Sequence, residues 1–357
     1  MPEAPTIYEV ARAAGVSTAT VSRALTDASK LRPETRARVL QVVAELGYVP
    51  SGLAQGMARR RTGVLGLAFP DLADPSVDEG HETLLYYDAV LRGVERAARR
   101  AGYAVLIAAT EGVEDRDFDV SLAAKTDGMV VLARTVSPPV LERLARRVPV
   151  VLCAGPREPE RLDHVGVTNS DGTADITRHL TEMHGHREVA FLGGPDDSPD
   201  AAARFEGYRS ACAAAGIEVP DRPALSADFT EAGGAAAMAS YLGSGRRPRA
   251  VVCANDQMAV GALAALAETG LEAPTDVAVT GFDDVQLSRH VLPALTTVHQ
   301  PMRQLGSAAV DLLLRRIAEP DAAPRAITLP TMLVVRSSCG CRGHTPSAAA
   351  LIERRAL

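Results

Sequence analysis

Up to about residue 50 the apolar positions recur at helical spacing; from Val64 onward they form near-continuous runs. In the first part, Thr6 with Glu9 three residues on reads as a capping box. Ile7, Val10 and Ala11 then carry a helical stripe through Ala14, and Gly15 is placed to stop it. Ser17 caps a second short helix whose inner face is Val21 and Leu25, leaving Thr18, Ala19, Ser22 and Arg23 outside. Pro33 opens a third helix with Val39, Leu40, Val43 and Leu46 as its apolar face, Gly47 ends it, and Tyr48-Val49-Pro50 breaks the chain. Two short helices joined by a glycine-containing turn predict a helix-turn-helix, whose second helix would offer small polar groups and an arginine to a DNA major groove. Spacing alone leaves a plain three-helix core as an equal alternative. The stretch from Ser51 to Ala58 carries two glycines and is too short to be helical alone, though a bound partner can order it.

The second part alternates apolar runs with amphipathic stretches. The runs are 64–69, 103–109, 128–133, 148–154, 188–194, 249–255 and 276–282. Such strands, buried on both faces and separated by helices, predict parallel sheets. Seven units exceed one comfortable sheet, so two lobes are expected. Gly193-Gly194-Pro195 lacks the spacing of a dinucleotide-binding loop.

Charge sharpens this division. The 357 residues carry a net −6, yet residues 1–62 hold nine Lys and Arg against five Asp and Glu, a net +4, while the remainder holds 29 against 39, a net −10. A basic head suits phosphate, and an acidic body limits non-specific adhesion to DNA. No apolar run is long enough for a membrane span. The first fifteen residues do not read as a signal peptide, and the scattered cysteines fit reduced thiols in the cytoplasm. No Ser-His-Asp or paired-carboxylate arrangement and no phosphate loop stands out, so an enzyme such as a sugar kinase is not expected.

The segments IYEVARAAGVSTATVSRAL and TRARVLQVVAELGYVPSGLAQGMAR closely resemble the head of the LacI/GalR family of bacterial repressors. That resemblance implies an N-terminal all-α helix-turn-helix head joined to an α/β two-lobed effector domain of periplasmic-binding-protein type, with parallel sheets flanked by helices. The expected boundaries are a head at 1–50, a hinge helix and linker at 51–62, a two-lobed effector-binding and dimerisation domain at 63–340, and a disordered tail at 341–357. Thr18, Ala19 and Arg23 stand where the family reads bases. Thr6, Tyr8, Ser17, Thr20, Ser22 and Thr35 stand at phosphate-contacting or orienting positions. Leu53 and Ala54 fall in the hinge helix, and Met57 stands at the wedge that opens the central operator step. Thr26 replaces the usual Asn after the recognition helix, and Gly52 and Gly56 imply a loose free hinge.

The body is similar to the family's effector domain, most clearly at 203–211, 252–284 and 293–306. The resemblance implies that Arg204, Asn255, Asp283 and Phe229 grip the ligand, with Tyr86 and Tyr87 as an aromatic pair. From the residues alone, Arg204 reads first as a surface ion-pair residue, Phe229, Tyr86 and Tyr87 read first as packing residues, and Asp284 competes with Asp283. Three departures bear on a sugar ligand: Ala154 where sugar-binding members often carry Asp, Thr168 for an acidic residue, and an apparent insertion at 75–85. His184-x-His186 spans a helix–strand turn, and Cys339-x-Cys341 is too closely spaced for a zinc knuckle. Neither pair is read as metal ligands, and no cofactor is expected. The tail lacks leucine heptads, so a homodimer is expected. The expected partners are pseudo-palindromic operator DNA and a small carbohydrate-like effector. The competing reading is a soluble sugar-binding or sensor protein that does not touch DNA.

Overall fold

The computed structural model describes residues 5–26, 31–48, 61–70, 84–110, 118–155 and 161–341. The chain divides into two compact units, Met1–Val64 with Lys125–Asp127, and Leu65–Ala124 with Gly128–Leu357. The expected hinge positions Leu53, Ala54 and Met57, most of the apparent insertion at 75–85, and the tail beyond residue 341 lie outside the described residues.

The first unit contains α1 (Ile7–Ala14), α2 (Thr18–Thr26) and α3 (Pro33–Leu46). Local chemistry sets each end. The Thr6 amide donates to Glu9 Oε2 at 2.7 Å and the Glu9 amide donates back to Thr6 Oγ1, closing the capping box. Gly15 and Gly47 take left-handed conformations and stop α1 and α3. The Thr20 amide donates to Ser17 Oγ at the start of α2. Val10, Ala11, Ala14, Val21, Ala24 and Val39 form the core. The inner face of α3 differs from the sequence expectation. Val42 and Val43 pack beside Val39, whereas Leu40 and Leu46 are 38% and 41% exposed.

The second unit holds two parallel sheets. The first is built from β1 (Val64–Pro70), β2 (Ala104–Thr110), β3 (Gly128–Leu132), β4 (Val150–Cys153), β5 (Asp163–Val167) and β11 (Ala326–Leu329), in the order β11-β5-β4-β3-β1-β2. It packs against α4 (Leu84–Arg100) and α11 (Met302–Ala318), with α5 (Phe118–Ala123) and α6 (Pro138–Ala145) also in this lobe. A Cβ on Gly93 of α4 would lie 2.2 Å from the Arg303 carbonyl, and one on Gly306 of α11 would lie 2.3 Å from the Val90 carbonyl. The two helices therefore touch backbone to backbone.

The second sheet runs β7 (Leu225–Ser226), β6 (Val189–Gly193), β8 (Ala250–Cys253) and β9 (Ala278–Thr280). Its helices are α7 (Asn169–Arg178), α8 (Pro199–Ala214), α9 (Glu231–Gly243) and α10 (Asp256–Glu268). An antiparallel ribbon of β10 (Thr297–His299) and β12 (Met332–Val334) completes this lobe.

The chain passes between lobes three times, after β5, after β10 and after β11. The first and third crossings are tied together. The Thr331 amide donates to Thr168 Oγ1 at 2.9 Å, the two hydroxyls lie 2.9 Å apart, and the Thr168 amide donates to the Leu329 carbonyl. Thr168, noted in the sequence as a departure from an acidic residue, thus joins two crossover strands.

Candidate functional site: a cleft at the strand ends

In both sheets the strand order reverses beside a central strand, at β1/β3 in the first and β6/β8 in the second. Open α/β sheets bind ligands at the carboxyl ends of strands flanking such a point. A cavity of this unit, with about 710 Å³ of empty space including its open mouth, lies there. Ala133 and Arg134 follow β3, Ala154 follows β4, and Ser198, Asp200 and Arg204 lie in or beside α8 after β6. Asp228 and Phe229 follow β7, Asn255 and Gln257 follow β8, and Asp283 follows β9. Tyr86 and Tyr87 come from the first turn of α4, and Gln300 from the second crossing.

All six positions singled out in the sequence, Tyr86, Tyr87, Arg204, Phe229, Asn255 and Asp283, therefore line one cavity. Arg204 is 5% exposed, not a surface ion-pair residue. Its Nε donates to Asn169 Oδ1 at 2.9 Å and its Nη1 to the Ala254 carbonyl at 2.6 Å; Nη1 also lies 3.5 Å from Asp283 Oδ1. The guanidinium stacks 3.8 Å over the Phe282 ring. Gln300 Nε2 donates to Asp283 as well. Burial pushes the Asp283 carboxyl up to about 6, even though Arg204 and Gln300 favour its charged form.

Asp284 points elsewhere. It pairs with Arg336, Arg289 and His299. Burial works against its charge, but hydrogen bonds from His299 and Arg336 prevail and hold it below the usual carboxylate range. The ambiguity between the two aspartates is resolved in geometry: Asp283 faces the cavity and Asp284 braces the loop.

Asn255 is partly committed to the scaffold. Its Oδ1 accepts from the Met258 amide and caps α10, and its Nδ2 donates to the Phe229 carbonyl at 2.9 Å. Phe229 has φ +73, and its ring occupies the space a Cβ on Gly194 would need, 2.4 Å away. Of five non-glycine residues with positive φ among the described residues, Arg134, Ala154, Phe229 and Asp283 line the cavity. Backbone strain of this kind concentrates at ligand sites.

Tyr86 and Tyr87 meet edge to face with centroids 5.3 Å apart, and Tyr87 stacks on Phe69. Burial pushes both phenols up, Tyr87 to about 12, so both keep their protons as hydrogen-bond donors.

Asp200 and Gln300 were not singled out in the sequence. Asp200 Oδ1 accepts from Asn169 Nδ2 at 2.8 Å and from the Gly155 amide. Ser198-Pro199-Asp200 reads locally as a helix start, which conceals this role. Gln300 sits inside the 293–306 segment that carries the family resemblance, so that segment held the signal.

In the head unit, Tyr8 is 70% exposed, and Ala19 and Arg23 are exposed on α2. Thr18, Thr20, Ser22 and Thr35 are half-buried, while Thr6 and Ser17 are exposed at the helix starts.

Comparison with known proteins agrees with both units. Residues 6–51 match the model of bacterial regulatory proteins of the lacI family, and residues 177–339 match a periplasmic binding protein-like domain. The ribose operon repressor of Escherichia coli K12 is 34% identical over 338 residues, covering 93% of this chain and 99% of that protein. The transcriptional repressor CytR of the same strain is 32% identical over 94% of this chain and 96% of its own length. Among solved structures, the lac repressor dimer bound to operator and the anti-inducer ONPF superposes with a TM-score of 0.81 at 28% identity, covering 94% of this chain and 99% of that one. A complex of the regulator CelR with cellobiose gives 0.69 at 33% identity, again over 94% and 99%. With two domain models in the expected order and relatives matched along nearly their whole length, the chain belongs to the lacI family of bacterial regulatory proteins, DNA-binding transcriptional repressors controlled through an effector-binding domain.

Proposed function

We propose that this repressor works as a homodimer on a pseudo-palindromic operator and is controlled by a carbohydrate held in the cleft, without catalysing a reaction. The observation that carries the ligand class is the lining of the cavity. Arg204, Asp283, Asp200, Asp228 and Gln300 offer charged and amide groups suited to vicinal hydroxyls, and Phe229, Tyr86 and Tyr87 offer aromatic faces suited to the C–H side of a sugar ring. Ala154 presents only a methyl group, so acceptors come from Asp200 and Asp228 on the other lobe. The ribose and cellobiose named for two relatives point to the same class. In the head, Thr18, Ala19 and Arg23 read base edges. The surrounding Thr6, Tyr8, Ser17, Thr20, Ser22 and Thr35 hold the phosphates. Operator binding puts its work at the chromosome, in the cytoplasm.

Effector closure of the lobes is coupled to operator affinity by about 1–3 kcal/mol. Genomic fragments retained by the protein give an operator, and titration of that operator with and without pentoses, hexoses and disaccharides tests the coupling. Equal operator affinity with and without every sugar that binds the cleft would overturn it. Arg23→Ala is expected to weaken the preferred operator by about 1–3 kcal/mol, with little change on unrelated DNA. An equal loss on both, read by fluorescence anisotropy, would make Arg23 a phosphate contact.

Asp283 gives the ligand step a pH dependence. Sugar hydroxyls donate to the ionised carboxylate, so effector affinity should fall as pH drops below about 6. The effect on folding has the opposite sign. With a folded value above the unfolded one, Asp283 disfavours the folded state increasingly as pH rises from about 4 to 6. Asp283→Asn should weaken binding and flatten its pH profile in calorimetric titrations. A wild-type affinity constant from pH 7.5 to 5 would remove Asp283 as the acceptor.

A further inference from the structure

Four side chains that take no part in the cleft converge at the far end of α7. His179 Nε2 lies 3.2 Å from His184 Nε2 and 3.4 Å from Cys339 Sγ. Cys341 Sγ lies 3.3 Å from His184 Nε2 and 3.6 Å from His179 Nε2. All four donor atoms fall within 4.8 Å of one another. Along the sequence His184 pairs with His186 and Cys339 with Cys341, and neither pair by itself reads as a metal site. The fold corrects that pairing. His179 replaces His186, and the two short-spaced pairs, about 160 residues apart, complete each other. His186 stacks on the His184 ring with centroids 5.9 Å apart and belongs to the surroundings of the cluster.

We propose that His179, His184, Cys339 and Cys341 form a structural zinc site. Tetrahedral zinc with Zn–S of about 2.3 Å and Zn–N of about 2.0–2.1 Å sets N···N edges of about 3.3 Å and N···S edges of about 3.5 Å. The four observed edges, 3.2 to 3.6 Å, match those values. Hydrogen bonding does not explain the cluster. His179 Nε2 faces three donor atoms at once, and a ring nitrogen carries at most one proton or one lone pair. One cation at the centre satisfies all four. Two thiolates and two imidazoles in a tetrahedron select zinc among common divalent ions, and four protein ligands leave no open position, as in structural sites.

The backbone is shaped for the cluster. α7 continues into a π-helical turn at His179–Met183. Hydrogen bonding from i to i+5 brings residues five apart onto one face, which places His179 and His184 together. Gly340, at φ +98, turns the chain between the two cysteines, and a Cβ there would face the His184 ring at 3.6 Å. The Thr296 hydroxyl donates to Cys339 Sγ at 3.1 Å, an orienting contact of the kind that supports a thiolate ligand. The site joins the helix that follows the first crossing to the strand end that follows the third. Zinc there fastens the C-terminal end of α7 to the segment that follows β12.

The full chain, purified under reducing conditions, should carry about one zinc per chain by elemental analysis. After chelation, Co2+ should bind with the intense visible bands of a tetrahedral sulfur-containing site. Chelation should lower the melting temperature of the wild type by several degrees. Cys339→Ser with Cys341→Ser should lose both the metal and the chelator effect, whereas His186→Asn should keep them. The proposal is overturned if the reduced wild type takes up neither zinc nor Co2+ stoichiometrically, a result that does not depend on the folding of any variant. It is equally overturned if the double serine variant binds as the wild type does.

Discussion

Arg204→Ala is expected to lower stability by about 3–5 kcal/mol and to abolish the effector response. The sequence alone predicts only the second effect, because a cleft arginine read from a motif is a ligand contact. In the structure it is also a buried keystone. Its guanidinium holds Asn169 Oδ1, the Ala254 carbonyl and the Asp283 carboxylate, and it stacks on Phe282. Truncation leaves a carboxylate that is 4% exposed with Gln300 as its remaining side-chain partner and strands two other buried acceptors. Leaving such groups unpaired costs more than the pair itself contributes. Asp283 can recover part of the loss by taking up a proton, since burial already pushes it to about 6. Arg204→Ala combined with Asp283→Asn should therefore be less destabilised than the sum of the single variants. Urea unfolding of the four proteins reads this cycle, and operator titration of each at low temperature reads function. A single variant that unfolds like the wild type but ignores the effector would reduce Arg204 to a ligand contact. One that is normal in both would remove it from the site.

What the sequence revealed depended on how local the signal was. The caps at Thr6, Gly15 and Gly47 are written in neighbouring residues, and all three form as read. The seven apolar runs each contain a strand. β5 was missed because Asp163, His164 and Gly166 interrupt its apolar character, and those polar groups are buried only because distant partners meet them. His164 Nε2 pairs with the Gly155 carbonyl at 3.0 Å, and Asp163 is met by arginines more than 150 residues away. Leu40 and Leu46 misled the reading of α3 because both fit the helical period, and which flank of a helix is covered depends on the neighbours it packs against. In the cleft, the motif positions located six lining residues. Asp200 escaped because an acidic residue in the first turn of a helix already has a sufficient local explanation. The His–Cys cluster was least legible. Its choice of His179 over His186 rests on a π-helical turn, and its completion rests on a contact across most of the body.

Asp163→Ala should be the other large loss, again about 3–5 kcal/mol, although Asp163 does not line the cleft. Asp163 is 1% exposed at the start of β5. Arg316 Nε donates to it at 2.8 Å, the Arg325 amide at 2.6 Å, and Arg315 Nη1 lies 3.5 Å away. One carboxylate thus fastens the last turn of α11 and the entry to β11 onto β5. The arginine side chains are only 16% and 14% exposed, and Arg316 Nη2 already lacks a hydrogen-bond partner among the described residues. Removing the acceptor takes the shared carboxylate from two nearly buried arginines, leaving Arg315 with Glu319 and Arg316 with carbonyl acceptors alone, so the end of α11 opens toward water. That opening frees β11, whose Leu329 carbonyl receives the Thr168 amide at the paired crossings. The variant should therefore lose effector response along with stability. Asp163→Asn, which keeps one acceptor and the shape, should lose less. Asp163→Leu with Arg316→Met should recover much of the loss, because apolar replacement of a buried pair is often neutral or stabilising. Urea midpoints with unchanged slopes measure all three. An Asp163→Ala protein within about 1 kcal/mol of the wild type would mean that solvent already reaches the arginines and that the carboxylate does not hold the helix.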